Sequence, residues 1–474
     1  MIAKDVLKEV LSAALSNGGD FADIFVERRR TSVVFCEDNR IERVNTGLDV
    51  GAGIRVIQGE NTAYAYTNDL SKTGLNEAAR IASHAVKGEN KDLSFDLRTV
   101  TSPVELKVAE RPEAVKIDRK VDEVEKANQV ARAVDPRIRQ VAVSYGDVVQ
   151  KVVMANSEGR YVEDERIRTR FVVNAVAAEG SVIQTGYEAV GGHVGYELFK
   201  EKGASPEQVA EAAARRALLM LGARPAPAGR MPVVMSGEAG GTMVHEACGH
   251  GLEADAIQKQ LSVYAGKVGQ LVASELVSVV DDATLSGKYG SFRFDDEGVP
   301  GQRKILIDHG ELKGFMYDGL TARKEGRTST GNGRRESFHH RPLPRMTNTY
   351  IKAGQEDPEK IIRDTRKGLL VKKMGGGQVN TVNGDFVFDV SEGYLIQDGE
   401  IGAPVRGATL TGNGPEVLRI VERVGKDLGF GIGTCGKDGQ GVPVSDAQPT
   451  LSIRELVVGG VEIPMAPNGN IRRL

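Results

Sequence analysis

Two histidines and a glutamate stand together in His245-Glu246-Ala247-Cys248-Gly249-His250, residue types that can hold a divalent ion and move a proton beside it. In the common zinc-protease motif the histidines are four apart, which on a regular helix leaves the rings roughly 40° from each other. A separation of five leaves them roughly 140° apart, too far to share an ion. The segment is therefore expected to widen into an i→i+5 turn or to break between the histidines, and Gly249 is the position where this costs least. Glu246 directly follows the first histidine. Its carboxylate is placed to act as general base toward a metal-bound water without itself ligating.

A catalytic Zn²⁺ takes three protein ligands as a rule, so a third must come from elsewhere in the fold. The candidates are Cys435, Cys248, His339 or His340, and an acid such as Glu253 or Asp255. Cys435 lies in Gly431-Ile-Gly-Thr-Cys-Gly-Lys-Asp-Gly439, where four glycines let backbone wrap closely about an ion; a small buried residue in a tight turn is the plainer reading. Cys248 is expected to pack. His339-His340, flanked by Arg335, Arg341, Arg345, Pro342 and Pro344, could orient a substrate carboxylate or peptide carbonyl, and equally could form a structural loop. His84, His193 and His309 receive no role. Gly375–Gly377 and Gly412-Asn-Gly414 lack the Lys-Ser/Thr and the strand-to-helix context of a phosphate loop, so nucleotide binding is not expected.

The elements that must position these groups belong to a chain of 474 residues, enough for about three units. Lys+Arg 62 against Asp+Glu 65 gives a net charge of −3, which excludes a dedicated nucleic-acid binder. Apolar residues at 40% and charged residues at 27% exclude wholesale disorder, and 57 glycines imply many turns and close backbone approaches. Three scattered cysteines point to a reducing compartment. The Met1–Asn17 segment reads as an amphipathic helix rather than a signal, and no run of eighteen apolar residues occurs, so a cytoplasmic protein that does not cross a membrane is expected.

The fold class read from the pattern is α+β. A first unit, 1–105, has a helix at Ala3–Ser16, short strands at Asp23–Glu27, Ser32–Cys36, Val50–Ile57 and Thr62–Thr67, and a helix at Leu75–Val86, ending in the polar stretch Lys87–Pro112. A second, 106–222, has a charged helix at Ile117–Val134, an antiparallel meander at Ile138–Val149, Lys151–Ala155, Ile167–Ala178 and Ser181–Val190, and a helix at Pro206–Leu221. Its strand pattern loosely echoes the first. Gly222-Ala-Arg-Pro-Ala-Pro-Ala-Gly229 reads as the main linker. The third unit, 223–474, is Gly-rich and mainly antiparallel β, with hairpin turns at Asp308-His309-Gly310 and Asp398-Gly399 and an alternating strand through Phe386, Phe388 and Val390; it carries the metal-site helix.

Five stretches, HEACGHG at 245–251, RPLPRMTN at 341–348, NGDFVFDVSEGYLI at 383–396, PVRGATLTGNG at 404–414 and GTCGKDGQ at 433–440, resemble the TldD/PmbA family of bacterial and archaeal metallopeptidases, and the resemblance extends over nearly the whole chain. The His-Glu-x-x-x-His pattern is that of the TldD-like branch. The resemblance implies that His245, His250 and Cys435 are the zinc ligands and Glu246 the catalytic base. It further implies proteolysis of unfolded or extended peptides, including peptide-antibiotic precursors, with the substrate held as an added β-strand in an enclosed cavity. The expected partner is a PmbA/TldE-like sister subunit in a heterodimer, or a second copy in a homodimer. Two other functions compete: a non-enzymatic assembly or regulatory subunit in which the metal is structural, and a thiol hydrolase using Cys435 or Cys248 with a histidine.

Overall fold

Strands of up to twenty residues organise the N-terminal half, and the way they pair makes one sheet of two helix-flanked halves. The computed structural model describes residues 2–88 and 95–461; part of the Lys87–Pro112 stretch and residues 462–474 lie outside the described residues. Helix Lys4–Ala14 buries Leu7, Val10, Leu11 and Ala14, a stripe at helical spacing. It packs with helix Lys72–His84, whose entry is capped by the Ser71 side chain accepting from the Gly74 N–H, over strands Phe21–Glu37, Arg40–Gln58 and Asn61–Thr67. The second half repeats the order: helix Ile117–Ala133, strands Ile138–Asn156, Arg160–Glu179 and Val182–Gly192, then helix Pro206–Leu221. Phe21–Glu37 pairs antiparallel with Ile138–Asn156 and joins the halves. Each helix pair covers its own end of the sheet and closes a separate apolar core.

The short strands expected at Asp23–Glu27 and Ser32–Cys36 are one continuous strand, as are those on either side of Gln150. Arg28-Arg29-Arg30 interrupts the apolar alternation. Backbone pairing on both sides, to Arg40–Gln58 and to Ile138–Asn156, nevertheless carries the strand through it. The segment read as a linker is itself pinned, because Arg224–Pro225 adds in parallel to strand Glu400–Arg406.

Beyond residue 228 the chain forms two larger sheets and a two-stranded one, Gly333–Arg334 with Leu343–Pro344. In one of the larger sheets, Lys367–Val379, Gly229–Met235, Leu451–Gly459, Thr409–Asn413 and Asp385–Gln397 are neighbours in that order, and pairing of the first with the last closes a ring. The other runs from Glu311–Leu312 through Arg303–Asp308, Val279–Asp282, Asn348–Ile351 and Gln440–Gln448 to an edge strand, Gly429–Lys437. Both expected hairpin turns are present, with His309, Gly310, Asp398 and Gly399 all at positive φ. The fold is α+β with mainly antiparallel sheets. No helix among the described residues is long and apolar enough to cross a membrane.

The ring-bearing region meets the long N-terminal sheet along a largely polar seam. Arg166 Nη1 lies 2.5 Å from Asp296 Oδ1 and Arg55 Nη2 lies 2.6 Å from Glu297 Oε1, all buried. Phe338 supplies the apolar part, inserted among Phe25, Val152, Met154, Val162 and Phe294. It also lies over Gly51, where a β-carbon would come within 2.2 Å of its ring. Truncating it, Phe338→Ala, is expected to cost about 3 kcal/mol or more, because the cavity is bounded by two rigid sheets. The exposed Ile183→Ser is expected to stay within about 0.5 kcal/mol, both read from urea midpoints.

Candidate metal centre

The His245–His250 segment does what its spacing demands. Three α-helical residues, Thr242–Val244, lead into a π-helical turn over His245–Gly249, and a 3₁₀ turn follows at His250–Leu252. The His250 N–H bonds to the His245 carbonyl, the i→i+5 bond of a widened turn, so the two rings come to a centroid separation of 4.8 Å. Gly249 also makes a close approach: a β-carbon there would sit 2.2 Å from the Met346 sulfur, so that buried side chain would have to shift. Tyr264 donates its hydroxyl to the Ala247 carbonyl at 2.8 Å, occupying an acceptor that the wider turn leaves free.

Cys435 reaches this turn from the edge strand Gly429–Lys437. Its Sγ lies 3.5 Å from His250 Nε2, and the ligating atoms of His245, His250 and Cys435 all lie within 4.8 Å of one another. Each imidazole is held from behind. His245 Nδ1 is 2.9 Å from Asp446 Oδ1, and His250 Nδ1 is 3.2 Å from Glu253 Oε2. Carboxylates at Nδ1 fix the tautomer and turn both Nε2 lone pairs toward the sulfur, which is the outer shell a metal-binding histidine requires. Two imidazoles and a thiolate in this arrangement suit a divalent zinc ion.

Electrostatics separate the two cysteines of the region. Burial would raise the Cys435 thiol, but the His245 and His250 imidazoles outweigh it and bring it down to about 5. Cys248, fully buried with its Sγ toward the Val244 carbonyl, is pushed up to about 12 by burial alone. Burial also works against protonation of the imidazoles. Even so, Asp446 and Cys435 hold His245 well above its ordinary value, and Glu253 and Cys435 bring His250 up to about 9. The Glu246 carboxyl is half-buried and raised by that burial, against the pull of His245 and His250; among the described residues nothing hydrogen-bonds it.

The other candidates take different places. Glu253 orients His250 and pairs with Lys437 Nζ at 2.9 Å, and Lys437 also reaches Asp255 Oδ1 at 2.6 Å. His339 and His340 sit at the seam: the His339 ring is 4.9 Å from that of Tyr66, and His340 Nδ1 is 3.2 Å from the Ser337 hydroxyl. Among the described residues neither is grouped with His245, His250 and Cys435. Asp446 and Lys437 were not found from sequence. Lys437 stands two residues beyond Cys435 and so shares its face of the strand, a signal that was available; Asp446, 201 residues from His245, gave none.

Models of one protein family match most of the chain. They are described as PmbA/TldA metallopeptidase domain 1 over residues 22–86, central domain over 110–221 and C-terminal domain over 228–460. A metalloprotease TldD homolog of Haemophilus influenzae is 38% identical over 452 residues, 93% of this chain and 93% of that one. A zinc metalloprotease TldD homolog of Saccharolobus solfataricus is 28% identical, covering 94% of this chain and 97% of its own. Among solved structures, TldE from Thermococcus kodakarensis matches in fold with a TM-score of 0.73 at 22% identity, over 95% of this chain and 100% of that one.

Asp446, Glu253 and Cys435 favour the protonated form of both imidazoles, and a bound cation must displace those protons. Zinc uptake near neutral pH is therefore expected to release about two protons, and apparent affinity to rise by up to about a hundredfold per pH unit, flattening as pH passes the His250 value of about 9. Competition with a chelator across pH reads the slope, and a slope near zero would contradict protonated imidazoles. Cys248→Ala should leave stoichiometry and slope unchanged, whereas Cys435→Ala should abolish tight binding.

Proposed function

The chain belongs to the PmbA/TldD family of metallopeptidases, and on that premise we propose that it is a zinc peptidase that hydrolyses peptide bonds of unfolded or extended peptides, with His245, His250 and Cys435 as ligands and Glu246 as base. The observation that carries this is the Glu246 carboxylate: half-buried, one residue from the first imidazole, and engaged by no hydrogen bond among the described residues. A bound zinc ion would supply Lewis acidity, polarising a carbonyl and acidifying water.

The rest falls to the protein's own groups. Glu246 takes the proton of the attacking water and can return it to the departing amine, and burial raises its carboxyl toward the basicity this needs. Asp446 and Glu253 keep both imidazoles in one tautomer through the cycle. Strand Gly429–Lys437 pairs only with Gln440–Gln448 among the described residues, so its outer edge offers backbone N–H and C=O groups to a peptide lying beside Cys435. Main-chain pairing of that kind reads an extended backbone rather than a particular side chain. The working assembly is a pair, with a TldE-like sister chain or a second copy as the partner, a reading supported by the shared fold of the Thermococcus TldE structure. The three free cysteines favour the reducing cytoplasm.

A second reading has one observation behind it: a thiol brought down to about 5 beside an imidazole at 3.5 Å is also the pair a thiol hydrolase would use. Glu246→Gln separates the two. It is expected to keep the metal and the fold while lowering kcat about a thousandfold or more, and a chelator should abolish wild-type cleavage until zinc is restored. Cleavage that survives both treatments would instead support the thiol. No cleavage by the wild type, alone or with a sister chain, would support a metal that only staples the fold.

A further inference from the structure

A cavity of about 200 Å³ lies between the long N-terminal sheet and the C-terminal hairpin, and five guanidiniums line it: Arg29, Arg166, Arg168, Arg334 and Arg335. All but Arg29 are buried. Buried cations are normally matched by carboxylates. Arg166 is matched, by Asp296 and Asp164. Among the described residues Arg29, Arg168, Arg334 and Arg335 form no ion pair with a carboxylate. Arg168 donates to the Tyr289 and Ser291 carbonyls and Arg334 to those of Met346 and Pro443. Arg335 donates to the Tyr64 hydroxyl and to the His340 and Asp296 carbonyls. The Nε groups of Arg166 and Arg335 are buried without a hydrogen-bond partner, though Arg166 Nε lies 3.6 Å from Asp164 Oδ2.

Asp296 also lies near Arg168, Arg334 and Arg335 without pairing to them, and the other two acids of the lining are otherwise engaged. Glu336 is exposed and accepts from the Gly441 N–H, and Asp295 spends its oxygens on the N–H groups of Glu297, Val299 and Gly333. Burial brings Arg168 down to about 10 and Arg334 to about 9, each pushed further by a neighbouring guanidinium. An arriving anion would relieve that crowding, and a planar carboxylate matches the guanidinium fork.

The position of the cavity indicates whose carboxylate it takes. Thr434 and its cross-strand partner Pro443 line it, while Cys435, the next residue, turns its sulfur to the opposite face toward the metal centre. A peptide laid along the free edge alternates its side chains in the same way. We propose that this cavity binds a carboxylate of the bound peptide, either an acidic side chain or the C-terminus, one position away from the residue presented to the metal centre. This rests on the peptidase reading above.

Two probes test the site separately from catalysis. Glutarate titrated into the zinc-loaded full chain should show one saturable site by calorimetry, weakened about tenfold or more in Arg29→Gln, whose half-buried side chain makes no hydrogen bond among the described residues. Absence of saturable binding, or binding unchanged in both Arg29→Gln and Arg168→Gln, would overturn the cavity while leaving peptide hydrolysis standing. In the Glu246→Gln background, the affinities of an alanine-serine decapeptide carrying one glutamate, of its glutamine counterpart and of both with amidated C-termini identify the source. A loss of about tenfold on replacing glutamate assigns a side chain, and the same loss on amidation assigns the C-terminus. No loss in either arm overturns the proposal. A glutarate site in a protein that binds none of the peptides would break its link to peptide, and the peptidase reading with it.

Discussion

Two histidines five residues apart can face one point only if the helix between them takes an extra residue into its turn, and the C-terminal region is built around that requirement. The turn is held where Met346 leaves no room for a β-carbon at Gly249 and where Tyr264 occupies the freed Ala247 carbonyl. The rings are then aimed from outside by Asp446 and Glu253. Both ends of this arrangement depend on one hairpin: strand Gly429–Lys437 carries Cys435 and Lys437, and strand Gln440–Gln448 carries Asp446. Its Asp438-Gly439 turn, with both residues at positive φ, sets the register. A slip of one residue would put the thiol on the wrong face and withdraw the carboxylate from His245.

The polar seam between the long sheet and the C-terminal region serves geometry more than stability. Buried ion pairs such as Arg166–Asp296 and Arg55–Glu297 gain little over apolar contacts, because each charge must first be stripped of water, yet losing one partner is costly. Such a seam tolerates only one alignment. It keeps the arginines of the N-terminal sheet opposite the back of the Cys435 hairpin, on the side away from the metal centre.

Much of the site was legible in the sequence because it is written in local spacing. Five steps of about 100° exclude a regular helix between His245 and His250, and the widened turn is what the chain adopts. The helices and the Asp-Gly and His-Gly hairpin turns are likewise local, set by apolar periodicity and left-handed positions. The preference for Cys435 over Cys248 was legible only as a glycine-rich setting, since proximity depends on which thiol the fold brings between two imidazoles. Asp446 and the union of two strand sets into one sheet were hidden for the same reason: both are pairings between segments more than a hundred residues apart. The gap left between the strands expected at Asp23–Glu27 and Ser32–Cys36 closes because backbone partners on either side hold Arg28-Arg29-Arg30 extended.

The candidate centre takes its thiol from residue 435 and one supporting carboxylate from residue 446, while the histidine turn lies near residue 245. A ribosome makes the turn long before it makes the hairpin that completes it. During translation the growing chain carries two imidazoles with no thiol between them, so on the proposed reading no hydrolytic site is complete before the hairpin is made. On that reading chain order itself sets when the centre can first be assembled.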